Sequence, residues 1–138
     1  MMEDVIITTQ GRHSYESGRW DEPIVQNITG KHSVRNGNHF VLYEEEETKT
    51  RVLLKFRDGY FKMTKGKTEM EFQKGVNTKG KIVTEEGLID LDIVTTSVRV
   101  SEGQGKFSIS LAYTLFEGKS FLERARLTIT VQKKKVFA

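Results

Sequence analysis

Apolar and polar residues trade places every second position along most of this chain, and that alternation restricts the fold more than any motif does. Phe107, Ile109, Leu111, Tyr113 and Leu115 fall on one side of an extended segment, opposite Ser108, Ser110, Ala112 and Thr114. Ala125, Leu127, Ile129 and Val131 oppose Arg124, Arg126, Thr128 and Thr130 in the same way. Val52, Leu54 and Phe56 oppose Arg51, Lys55 and Arg57, and Met70 and Phe72 oppose Glu69, Glu71 and Gln73. Side chains leave a strand on alternate faces, so each set marks a strand with one face on a core and the other toward water. No window keeps helical spacing of its apolar residues for more than a turn.

Glycines recur at strand-length intervals, and they divide the chain into candidate strands at 4–15, 22–35, 38–46, 49–57, 60–65, 68–74, 77–84, 87–100, 105–116 and 121–133. Asn36-Gly37 and Asp58-Gly59 are the strongest hairpin signals, because a type I′ turn needs positive φ at both central residues. Glu117-Gly118 is a lesser one. The eighth strand changes phase, from Ile89, Leu91 and Ile93 to Val98 and Val100, which calls for a bulge near Thr95-Thr96. Eight to ten strands joined by short turns make a meander, and closure into an antiparallel β-barrel removes the exposed edges. A two-sheet sandwich is the alternative, but its crossings need longer connections. The chain is thus expected to be a single all-β barrel domain over 1–138.

Composition bounds the chemistry. Cysteine is absent, which excludes disulfides, thiolate nucleophiles and thiolate metal sites. The first residues are acidic where a signal peptide is basic, and no apolar run approaches a membrane span, so a cytoplasmic location with no membrane partner is expected. Charge is uneven: residues 1–48 hold 4 Lys/Arg and 9 Asp/Glu, whereas residues 49–81 hold 10 and 3. With Phe56 and Phe72 on core faces, only Tyr60 or Phe61 in that basic segment is expected to lie exposed, as in a surface that stacks nucleic-acid bases. Lysines on outward strand faces account for the same pattern more simply.

Motifs that mimic catalytic loops belong to turns. Gly66-Lys67-Thr68 and Gly118-Lys119-Ser120 look like the end of a phosphate loop, but the required earlier glycine is replaced by Phe61 and Tyr113, and strands follow instead of helices. Gly103-Gln104-Gly105 reads as a turn. No Ser-His-Asp set appears, and no cofactor is expected. If Asn36-Gly37 is a two-residue turn, Val34 pairs with His39 and His32 with Val41, so both histidines share a face as diagonal neighbours. A metal would need a third ligand there, so no metal site is expected. A turn at Glu47-Thr48 sets Glu46 opposite Lys49 and Glu44 opposite Arg51, leaving Glu45 on the face of Tyr43, Val41 and Val34, which reads as the inner face.

The order of features resembles a known family. Gly30 late in a strand is followed by Leu42-Tyr43-Glu44-Glu45, Met63-Thr64-Lys65-Gly66, Phe72, Thr84-Glu85-Glu86-Gly87 and Tyr113 in a Ser-Ile-Ser-Leu-Ala-Tyr strand. In this the chain is similar to the YwiB-like family of uncharacterised bacterial proteins. The resemblance implies a lipocalin-like (calycin-type) barrel and no assigned function. The family usually has arginine at Lys65, an aromatic at Ile82, and proline with an aromatic at Glu85 and Glu86, so no role is carried over to those positions.

Two functions are expected from these features. The first is a non-catalytic barrel that buries a small apolar or amphipathic ligand in an apolar interior. Its polar groups are Tyr43, Glu45 and Tyr113, with His32 and Gln26 as further candidates. The second is an interaction module that binds RNA or an acidic protein through the basic 49–81 surface. An enzyme with Glu45 and a tyrosine or histidine as acid and base is a third reading that no motif requires.

Overall fold

The structure is a computed structural model and describes residues 2–14, 24–45 and 47–134. Ten strands follow in order: β1 (Glu3–Ser14), β2 (Ile24–Arg35), β3 (Asn38–Glu44), β4 (Arg51–Arg57), β5 (Tyr60–Lys65), β6 (Thr68–Gln73), β7 (Asn77–Thr84), β8 (Gly87–Gly103), β9 (Lys106–Glu117) and β10 (Ser120–Lys133). Each pairs antiparallel with the next, and β1 closes the barrel by pairing with β10. No helix among the described residues is long and apolar enough to cross a membrane.

The alternation resolves as expected. Ile109, Leu111, Ala125, Ile129, Val131, Val52, Leu54, Phe56, Met70 and Phe72 are all buried, and Tyr113 and Leu127 pack against them. The phase change in β8 is a bulge: the register with β9 shifts between Thr95 and Ser97, and the Thr96 hydroxyl donates to the Ala112 carbonyl at 3.1 Å. A second shift, between Phe121 and Glu123 in β10, was not legible, because Phe121 and Leu122 are both apolar and break no pattern.

Turn chemistry held at one site and differed at another. Asn36 and Gly37 have φ of 50° and 78°, both positive as a type I′ turn requires. Asp58-Gly59 also makes a two-residue connection, but only Gly59 is positive, at 83°. The Asp58 carboxylate is engaged elsewhere, accepting the Val100 N–H at 3.0 Å and tying this turn to β8.

Gly30 lets β2 and β3 approach closely. A Cβ there would sit 2.7 Å from both the Leu42 carbonyl oxygen and Ile7 Cδ1, and 3.1 Å from the Tyr43 Cβ.

An aromatic row lines the inside. His39 lies opposite Phe56, Phe56 opposite Phe61, and Phe61 opposite Phe72, across four consecutive strands. Phe72 then meets Tyr113 of β9, with ring centres 4.6 Å apart. Phe107, six residues earlier on β9, touches Phe56 at 5.6 Å. Rings therefore stand where a hollow barrel would hold its ligand.

Candidate functional site

Antiparallel strands send alternate turns to opposite ends of the barrel. The turns at 36–37, 58–59 and 104–105 share one end, with the start of β1 and the finish of β10. The turns at 47–48, 66–67 and 118–119 share the other. The residues expected to form one site divide between these ends.

At the second end, Glu45 follows β3 and is held by Lys65 at 2.8 Å and by the Thr48 hydroxyl at 3.2 Å. Glu44 lies opposite Arg51 as expected; Glu46 lies outside the described residues. Gln26 is exposed on β2 and joins Asn27, Ile28, Glu45 and Glu47 around a shallow cavity of about 320 Å³. Tyr43 points to the core. Burial, reinforced by the nearby Glu45 carboxylate, pushes its phenol up to about 12. Tyr113 is deeper on the Phe72 side, its phenol raised by burial and then by Glu123. His13 lies 3.2 Å from that same Glu123.

His32 belongs to the first end, away from the other four. The Asn36-Gly37 turn fixes the register as read, with His32 opposite Val41 and Val34 opposite His39. His32 Nε2 and His39 Nδ1 are 3.0 Å apart. Their ring centres are 5.3 Å apart and their planes 17° off parallel. That separation is the nitrogen–nitrogen contact plus the two ring radii, so the imidazoles meet edge to edge in a common plane, not face over face. His39 Nε2 in turn lies 3.1 Å from Glu102 Oε1 of β8. Phe107 covers the pair, 4.7 Å from His32 and 4.9 Å from His39. Phe56 runs parallel to His39 at 5.0 Å.

His32, His39, Glu102 and Phe107, with Glu3, Val5, Val34, Gln104, Lys106 and Lys133, surround a cavity of about 610 Å³ at the barrel mouth. Val34 shares the inner face but lies at the rim, where 54% of its surface is exposed. Burial first, and then the neighbouring His39, hold the His32 pKa below its ordinary value. Its ring is therefore neutral at neutral pH. Among the described residues no group of three histidine and carboxylate side chains converges to hold a metal; Glu102, His39 and His32 are arranged in line. Glu102 and Phe107 were not legible as site residues, because the contact from β3 to β8 crosses the barrel and leaves no mark in local spacing.

In the basic segment one of the two adjacent rings turns inward and the other stays at the surface. Phe61 faces the core and is buried, since its partner Phe56 is an inward residue. Tyr60 is engaged by the Arg57 guanidinium, 4.4 Å over its ring, and donates to Glu71 at 2.7 Å. Lys62 pairs with Glu69 at 2.7 Å, and Lys79 pairs with Asp92.

A family model, the domain of unknown function DUF1934, matches residues 6–129. The chain belongs to that family. The fold of this DUF1934 barrel is similar to that in the crystal structure of the ywiB protein from Bacillus subtilis, which is 20% identical, with a TM-score of 0.81 over 97% of this chain and 94% of that one. No curated protein matches this DUF1934 chain by sequence.

The partly buried phenols of the DUF1934 barrel give one direct check. Tyr43 and Tyr60 are both pushed up to about 12, Tyr60 by burial and its hydrogen bond to Glu71. A phenol in an unfolded chain is half ionised near pH 10. Near that pH the native protein is expected to show much less phenolate absorbance than the same protein in denaturant. Because the folded values are raised, this part of the stability is present below pH 10 and lost as pH climbs through the folded values. Equal phenolate signals would contradict the burial of these rings.

Proposed function

We propose that this chain is a non-catalytic small-molecule-binding barrel whose ligand sits in the mouth, against His32, His39 and Phe107. One observation carries the reading: the in-line contacts Glu102, His39 and His32 open on a cavity of about 610 Å³. Small-molecule sites typically span about 300–1,000 Å³ and combine apolar walls with a few placed polar groups. The aromatic row in mid-barrel favours the mouth over the deep interior, and Tyr43, Glu45, Tyr113 and Gln26 fall outside the site in this reading.

Native mass spectrometry of protein purified from its own host tests the proposal. One small molecule per chain is expected on the wild type and on Glu45→Ala, and at least about tenfold less occupancy on His32→Ala. A wild-type chain that retains nothing over repeated preparations contradicts it, as does a ligand lost from Glu45→Ala but kept by His32→Ala.

A further inference from the structure

Glu102, His39 and His32 stand in single file, an ion-pair contact followed by a hydrogen bond, and such a file has a direction. The Glu102 carboxylate oxygen, 3.1 Å from Nε2 of His39, favours the proton on that nitrogen over Nδ1. In a neutral imidazole the second nitrogen is then a bare acceptor, and Nδ1 of His39 takes the Nε2–H of His32. That leaves Nδ1 of His32 as a lone pair, and no described side chain bonds it. The tautomer of a ring at the mouth is thus dictated by a carboxylate two residues down the file.

We propose, building on the mouth-binding reading, that Nδ1 of His32 accepts the ligand's hydrogen bond, and that the ligand class is a small planar ring carrying an N–H donor. The flat aromatic wall supplied by Phe107 beside both imidazoles suits a planar partner. The surrounding charges balance. Glu3 of β1 lies opposite His32 and is paired to Lys133 of β10 at 3.5 Å; Glu102 of β8 is taken by His39 of β3. Lys106 of β9 completes the lining. With no sign dominating, a neutral donor fits better than an ion. A proton added at Nδ1 turns this edge into a donor and removes the acceptor, so binding of an N–H ligand weakens on acidification. Burial, which opposes that proton, keeps the acceptor form in place at neutral pH.

Indole is the probe, since its N–H donates and it has no basic nitrogen; benzofuran has the same shape without the donor. Long-range proton–nitrogen spectra of the histidine rings, recorded on the full chain, report tautomer and binding together. At pH 7.5 both His32 and His39 are expected as Nε2–H tautomers. Indole is expected to shift Nδ1 of His32, with benzofuran at least about tenfold weaker, because a site built for a donor rejects the analogue lacking it. The preference is expected to disappear as acidification puts a proton on Nδ1 of His32. Glu102 is 65% exposed, so Glu102→Leu leaves the core intact; there the tautomers mix and the preference shrinks. A proton found on Nδ1 of His32 at pH 7.5, equal binding of the two probes, or no shift at His32 with either would overturn the assignment. If the host ligand is nonetheless retained in native mass spectrometry and lost in His32→Ala, only the donor class fails; if neither experiment finds binding, the mouth reading fails with it.

Discussion

Phe56→Ala is expected to lose about 3–5 kcal/mol of folding stability, while Leu53→Ala, three residues away on the same strand, changes it by about 0.5 kcal/mol or less. Phe56 is fully buried, lies opposite both His39 and Phe61, and meets Phe107 from across the barrel. Removing its ring leaves a cavity that a closed sheet relaxes into poorly, since every neighbour is pinned by its own ladder. Leu53 is on the outward face, where it is 39% exposed. A domain of this kind is stable by about 5–15 kcal/mol, so the first variant loses a large share of the total. Denaturant midpoints of the two variants check this. Equal losses would mean that the faces of β4 are wrongly assigned.

The second large effect is at a residue without a side chain. Gly30→Ala is expected to cost about 1–3 kcal/mol, because the new methyl meets a carbonyl oxygen and a core methyl at 2.7 Å. The oxygen belongs to the β2–β3 ladder and has no rotamer to escape into, so the strands must part. Gly103→Ala is the control: nothing lies within 4 Å of a Cβ built there, and its φ is not in the left-handed region. That variant is expected to fall within about 0.5 kcal/mol of the wild type. Thermal unfolding of the pair separates a close-packed glycine from a spare one. A harmless Gly30→Ala would show that β2 and β3 are less tightly apposed than described.

Local rules reached far into this fold. Glycine spacing and period-two alternation together located all ten strands to within a few residues at each end, and the β8 bulge was legible because Ile93 and Val98 cannot share a phase without an extra residue. The Asn36-Gly37 turn paired His32 with Val41 from the sequence alone. The same logic could have buried Phe61, since a two-residue turn at Asp58-Gly59 pairs it with Phe56; an adjacent aromatic, Tyr60, obscured which of the two faces inward. What alternation does not carry is height along the barrel axis, or which strand stands across the interior. Tyr43, Glu45 and His32 share a face in the strands, yet His32 lies at the opposite end from Glu45. Glu102 reaches His39 only because the closed sheet curls β8 over β3. Those contacts follow from closure and stagger, which are properties of the whole ring of strands.

The claim that matters most is where a bound molecule sits. A crystal structure of the protein purified from its own host, with any retained ligand, locates it directly. Electron density against Phe107 and His32 at the barrel mouth is the expected result. Density lodged between Phe72 and Tyr113, or beside Glu45 and Gln26 at the far end, would contradict it.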